Sequence, residues 1–218
     1  MISCVLFDFD GTVFDTAEGI TRSVQYAANK LGLHPELESL RCFAGPPLAD
    51  MFMEHFGLDR ETALRAVADF RERYRPVGIY ECRVFPGIRE LLRDLRDEGF
   101  TLGIATSKPQ PMAEMLLERE GMTALFDVIA GSREDLLNDT KADVLRRAMN
   151  ALHVKPEETV LVGDTKYDVI GAGQCGVKCI GAGWGYAAPG ELEEAGAAVI
   201  APDLAALGRL LLSERTGD

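Results

Sequence analysis

Two carboxylates one residue apart, in the run Asp8-Phe9-Asp10-Gly11-Thr12, are the residues here best able to do chemistry. They follow the apolar run Ile2 to Phe7, and alternate residues of a strand share a face, so both side chains start out on one side. Carboxylates this close repel unless a cation lies between them or one is protonated. Either outcome suits phosphoryl transfer. One carboxylate can attack phosphorus and form an acyl-phosphate, and the other can protonate the leaving oxygen and then take a proton from water. Gly11 permits backbone geometry near a ligand that a larger residue would hinder. Acids are also ordinary turn formers at a strand exit, so this pentapeptide needs support from elsewhere in the chain.

Three further segments supply it. Asp164 follows the apolar Val160-Leu161-Val162 and Gly163 and offers a third carboxylate. Magnesium takes oxygen donors in an octahedron and keeps several waters. Asp168 lies one helical turn on, placed to orient Lys141 or a bound water. The competing reading is an acidic charge at a helix N-terminus; the orienting role is the one favoured. Thr106 and Ser107 end another apolar run and can bind phosphate oxygens through hydroxyl and backbone donors, although such residues are common helix caps. Lys141 brings a point charge able to offset that of a phosphoryl group, against the usual solvated place of lysines.

Elements must bring these segments together. Apolar runs mark strands at 2–7, 100–105, 126–130, 159–162 and 177–180, with one more at 197–200. Helical spacing marks 86–98, 109–120, 141–152, 167–175 and 204–212, and the last residues, 213–218, are expected to fray. Strands alternating with helices predict an α/β fold, a Rossmann-like three-layer core with a parallel sheet. Ligands in such sheets sit beyond the carboxyl ends of the strands, where the four segments fall. Between them, residues 16–80 show helices at about 15–33, 48–56 and 60–75, the last capped by Asp59, and no strand. The expected division is a core of 1–15 and 81–218 with an inserted helical cap at 16–80.

In their order and types, Asp8-Phe9-Asp10-Gly11-Thr12, Thr106-Ser107-Lys108, Lys141 and Gly163-Asp164-Thr165-Lys166-Tyr167-Asp168 resemble the four motifs of the haloacid dehalogenase-like superfamily, spanning nearly the whole chain. Within it the sequence is similar to phosphoglycolate phosphatase-like proteins and bacterial 5'-nucleotidase-like relatives. Trp184-Gly185-Tyr186 and Leu192 to Ala197 also look like the C-terminal region of that subgroup. The resemblance implies a magnesium-dependent phosphatase. Asp8 would be nucleophile and metal ligand, and Asp10 the acid/base, lending its backbone carbonyl to the metal. Thr106, Ser107 and Lys141 would hold phosphate, and Asp164, supported by Asp168, would complete the metal site. Asp10 argues against the dehalogenase branch, whose members lack a carboxylate there. Ala142-Asp143 after Lys141 departs from the phosphoglycolate phosphatase pattern and puts that substrate in doubt.

Substrate choice is expected from the helical block. Ala44-Gly45-Pro46-Pro47-Leu48 reads equally as a substrate-facing loop or as an interhelical turn. Arg22 and Arg41 are cations able to meet a second anionic group, with plain surface placement the commoner fate. Gly45, Pro46 and Arg41 are the specificity candidates. A sugar phosphomutase and a pyrophosphatase are alternatives on the same core, and a non-enzymatic binding protein is the alternative from another class.

Composition narrows the setting. The 218 residues are 47% apolar and 27% charged, enough for a sizeable core under a polar surface. A formal charge of −12 disfavours a nucleic-acid polymer as partner, but a small phosphorylated metabolite remains open because a local cation can reverse the field. Five scattered cysteines read as ordinary thiols, and three dispersed histidines match no zinc spacing. No stretch approaches the ~18 apolar residues of a membrane span, and the N-terminus lacks a basic region. A cytoplasmic monomer or homodimer is the expectation.

Overall fold

The computed structural model describes residues 1–133 and 139–216. In chain order the elements are β1 (Cys4–Phe7), β2 (Phe14–Asp15), α1 (Ala17–Lys30), α2 (Leu48–Phe56), α3 (Arg60–Tyr74), β3 (Arg83–Val84), α4 (Ile88–Asp97), β4 (Thr101–Pro109) and α5 (Gln110–Arg119). They continue as β5 (Val128–Ser132), α6 (Lys141–Leu152), β6 (Thr159–Gly163), α7 (Lys166–Gln174), β7 (Lys178–Ala182), α8 (Glu191–Ala195), β8 (Val199–Ala201) and α9 (Leu204–Thr216). Two compact units result, one of residues Met1–Val13 and Val84–Asp218, the other of Phe14–Arg83.

The first unit is built on a six-stranded sheet in the order β5-β4-β1-β6-β7-β8. Every neighbouring pair is parallel, the α/β core that alternating strands and helices imply. All four residues of β1 are buried, as a central parallel strand with both faces covered requires. Alternation sends Cys4 and Leu6 into a cluster with Val144, Leu145, Ala148, Leu161, Val169 and Ala172. Val5 and Phe7, equally buried, serve the opposite face.

The second unit is helical. α1 carries Val24, Ala27 and Ala28 on its buried face, and α3 carries Ala63, Ala66 and Phe70. Asp59 caps α3 by accepting from the Thr62 N–H at 2.7 Å. Phe43 and Phe52 meet edge to face at 5.1 Å between centroids. Arg73 donates to both oxygens of Glu81 at 2.8 and 2.9 Å and to the Ser23 hydroxyl at 3.1 Å.

Several boundaries depart from the sequence reading. β1 starts at Cys4 rather than Ile2, whose N–H instead donates to the Glu214 carbonyl. β4 does not stop at Ala105: pairing with β5 resumes at Pro109 after a shift in register, carrying Thr106 to Lys108 along a bulged strand. Leu37–Phe43, which carries no regular apolar period, forms a 3-10 helix. α9 runs on to Thr216 where fraying from Ser213 was expected, and Ser213 Oγ donates back to the Leu210 carbonyl. Asp218, the end of that expected tail, lies outside the described residues. The two-residue strands β2 and β3, a separate ribbon, had no counterpart in the reading.

Candidate active site

Register places the site. Phe7 pairs with Ile104 on β4 and with Val162 on β6, so Asp8, Ala105 and Gly163 come level at the carboxyl edge, and Thr106 and Asp164 follow at once. The Asp8 N–H donates to the Val162 carbonyl at 2.8 Å, extending the ladder to the residue that carries the carboxylate. Two helices start at the same edge. α6 opens with Lys141 behind a capping box in which Thr140 and Asp143 bond each other's backbone N–H. α7 opens behind Thr165, whose N–H and hydroxyl both donate to Asp168 Oδ2, at 3.0 and 2.9 Å.

The other oxygen of Asp168 faces Lys141 at 2.7 Å. Asp168 is therefore helix-terminal acid and lysine partner at once, and the two readings of it coexist. Lys141 Nζ also lies 2.5 Å from Asp8 Oδ1 and donates to the Ala105 carbonyl at 3.0 Å. Asp8, Asp164 and Asp168 are all buried, with one oxygen from each lying within 4.8 Å of the others. Three carboxylates against one ammonium leave a formal charge of −2 in this buried space.

The titration behaviour follows first from burial and then from that imbalance. Burial raises the Asp8 carboxyl to about 6, with Asp168 and Asp10 adding to the rise and Lys141 opposing it. Burial likewise holds Asp164 well above the ordinary carboxylate value, reinforced by Asp168 and Asp8. For Lys141 burial works the other way, but Asp168 and Asp8 outweigh it and keep the ammonium charged. An enclosed all-oxygen donor set with excess negative charge fits a divalent cation.

Asp10 stands apart from the three. Its carboxylate receives Lys108 Nζ, at 2.9 Å to Oδ1 and 3.2 Å to Oδ2. Lys108 is buried and also lies over the Phe9 ring, 5.6 Å from its centroid. Thr106 is buried and its hydroxyl accepts from the Lys108 N–H at 3.2 Å, while Ser107 is exposed. Arg41, Gly45 and Pro46 belong to the helical unit, in the stretch leading into α2. Arg41 pairs with Glu38 at 3.3 Å, and Gly45 has φ 109.

Asp164 is held by residues without an assigned part in the sequence reading. Thr12 Oγ1 donates to its Oδ1 at 3.1 Å, and the Tyr186 N–H donates to its Oδ2 at 2.9 Å. Trp184 Nε1 donates to the Thr12 carbonyl at 3.1 Å. Gly11, at φ +80, could not carry a side chain: a Cβ there would stand 2.0 Å from Asp164 Oδ2. A Trp-Gly-Tyr run beyond the fifth sheet strand was the available signal for this contact. A buried partner for Lys108 had none.

An acid pair just beyond β1, a buried lysine and a carboxylate cluster thus gather at the carboxyl edge of the sheet in an α/β core. The haloacid dehalogenase-like hydrolase model matches residues 5–182, and the chain belongs to that family. It is a phosphatase of the family, a phosphoric monoester hydrolase. The chain is 41% identical over 210 residues to a 5'-nucleotidase of Pseudomonas aeruginosa, covering 96% of this chain and 95% of that one. It is 39% identical over 183 residues to the tyrosine-protein kinase PtkA of Mycobacterium tuberculosis, covering 84% of this chain and 62% of that protein. A crystal structure of a predicted phosphatase from Clostridium acetobutylicum superposes with a TM-score of 0.92 at 41% identity, covering 98% of this chain and 99% of that one. Among the described residues no helix is long and apolar enough to cross a membrane.

Proposed function

We propose that the protein is a magnesium-dependent phosphatase that hydrolyses a small phosphomonoester, of the 5'-nucleotidase kind, through an aspartyl-phosphate on Asp8. The observation that carries this is the burial of Asp8 against Lys141, in reach of two further carboxylates. Asp8, Asp164 and the backbone carbonyl of Asp10 would hold magnesium, with Asp168 beside them. When bound, the ion offsets the charge of the phosphoryl oxygens and of the carboxylates that surround it.

Asp8 attacks phosphorus, and the bond from phosphorus to the leaving oxygen breaks as the bond to the carboxylate forms. Asp10, protonated when substrate is bound, gives that proton to the leaving oxygen. It then takes a proton from the water whose oxygen bonds phosphorus as the Asp8–phosphorus bond breaks and phosphate leaves. Lys141 and Thr106 hold the phosphoryl oxygens, with Ser107 at the rim. Lys141 stays charged because Asp168 faces it. Gly45, Pro46 and Arg41 are assigned to recognition of the remainder of the substrate, a small phosphorylated metabolite and not a nucleic-acid polymer. Identity of 41% with a 5'-nucleotidase supports nucleoside monophosphates as the first substrates to try, and Ala142-Asp143 speaks against phosphoglycolate. A cytoplasmic setting, and a monomer or homodimer, complete the proposal.

The test is release of inorganic phosphate with and without magnesium, from nucleoside monophosphates, phosphoglycolate, pyrophosphate and sugar phosphates, beside Asp8→Asn. Magnesium-dependent release from a nucleoside monophosphate, absent in Asp8→Asn, is the expected result. Full activity in Asp8→Asn would overturn the mechanism. Preference for pyrophosphate, or conversion of a sugar phosphate to its isomer without phosphate release, would overturn the substrate assignment alone.

A further inference from the structure

We propose that the turn after β7, Gly183 to Tyr186, sets the Asp164 carboxylate for its cation, with Trp184 as the positioning residue. The inference rests on the magnesium reading above and assigns a role to residues outside the ligand set. Asp164 is fully buried, and each of its oxygens is already engaged once, Oδ1 by the Thr12 hydroxyl and Oδ2 by the Tyr186 N–H. A carboxylate oxygen has two lone-pair sites, so these bonds fix the plane of the group and leave acceptor capacity for a cation.

Trp184 governs the first of those bonds at one remove. Its indole N–H donates to the Thr12 carbonyl, which holds the backbone that aims the Thr12 hydroxyl. The turn governs the second directly, through the Tyr186 N–H. Its own position is fixed by the sheet: the Gly183 N–H donates to the Ala201 carbonyl on β8 at 2.9 Å, and the Gly185 N–H to the Ala182 carbonyl at 3.1 Å. The fit is closed. A Cβ on Gly185 would stand 2.1 Å from Asp164 Cβ, and one on Gly11 would meet Asp164 Oδ2 from the loop after β1. Asp164 thus has no room to turn, and the loops after β1 and β7 reach it together. Groups that orient a metal ligand from behind commonly carry a 10–100-fold share of metal affinity.

The experiment is calorimetric titration of magnesium into the metal-freed protein, beside thermal melting in chelator, for wild type, Trp184→Phe and Thr12→Val. Phenylalanine keeps most of the apolar body and removes the N–H; valine keeps the shape of threonine and removes the hydroxyl. The expected result is a magnesium Kd about 10–100-fold weaker in both variants, with melting in chelator within a few degrees of wild type. Phosphatase activity of Trp184→Phe should return as magnesium is raised. Wild-type magnesium affinity in Trp184→Phe would overturn the proposal. Should Trp184→Phe fail to fold, Thr12→Val decides alone, and unchanged affinity there overturns it equally. A wild type that binds no magnesium would overturn the cation assignment and this inference together, which separates the two failures.

Discussion

Lys108 Nζ sits 2.9 Å from Asp10 Oδ1, so the second aspartate of the first motif has its own buried lysine, distinct from the one on Asp8. The pair points the Asp10 carboxylate before substrate arrives. Lys108→Met should lower kcat by about 10–100-fold with a smaller change in KM, the size expected of a misplaced catalytic group. Lys108→Arg should recover part of the loss. Steady-state kinetics at saturating magnesium check both, and a Lys108→Met enzyme with wild-type kcat would remove Lys108 from any part in holding Asp10.

Lys141 pairs with Asp8 and Asp168, two of the three clustered buried carboxylates. Its replacement by Met should cut kcat by about 10²–10³, the scale for removing one stabilising donor from a transition state. It should also destabilise the metal-free protein, since Asp8 and Asp168 are left facing each other without it. Urea midpoints in chelator and in magnesium measure the second effect, and magnesium should restore more stability to the variant than to wild type.

The carboxylate cluster predicts an unusual pH profile. Asp8 titrates at about 6 when folded, against an ordinary 3.8, and Asp164 is raised too. A raised folded pKa means that the native state binds the proton more tightly, so this contribution is fully present below about pH 4 and is lost as pH rises through 6. Asp139 and Glu81 act in the opposite sense: their arginine partners lower them, and their contribution is lost only as pH falls below the ordinary range. Urea unfolding in chelator should therefore show stability declining between pH 4 and 6. Magnesium affinity should climb over the same interval, because the ion competes with the protons. A flat chelator profile would contradict the assignment.

In the helical unit, Arg73 meets Glu81 and Ser23 with both side chains of the ion pair about one-fifth exposed. Arg73→Met should cost about 2–3 kcal/mol in urea unfolding. Calorimetric magnesium affinity should stay at the wild-type value, as none of the ligand carboxylates touches Arg73.

What was legible in the chain was whatever a local pattern can encode. Val5-Leu6-Phe7 and Val160-Leu161-Val162 read as buried strands because the central strands of a parallel sheet need apolar side chains on both faces, and the acids after them marked its edge. Asp59 was legible as a cap because its partner is three residues away. Lys108 was not, because the contact that buries it spans 98 positions, and a lysine in isolation reads as solvated. Trp184 meets Thr12 across 172 positions, through a backbone carbonyl that any residue could offer. β2 and β3 have two residues each, too few for a period to show.

The Phe85 N–H donates to the Val13 carbonyl at 3.1 Å, so the chain leaves the sheet unit and re-enters it at points one hydrogen bond apart. Everything from Phe14 to Arg83 is a closed excursion, and every register pair of β1 with β4 and β6 joins residues outside it. Such a junction is a natural site for recombination. Gene segments of different length and helical content could be exchanged there while the reaction is inherited intact, so that one catalytic apparatus diversifies by swapping a single contiguous stretch of DNA.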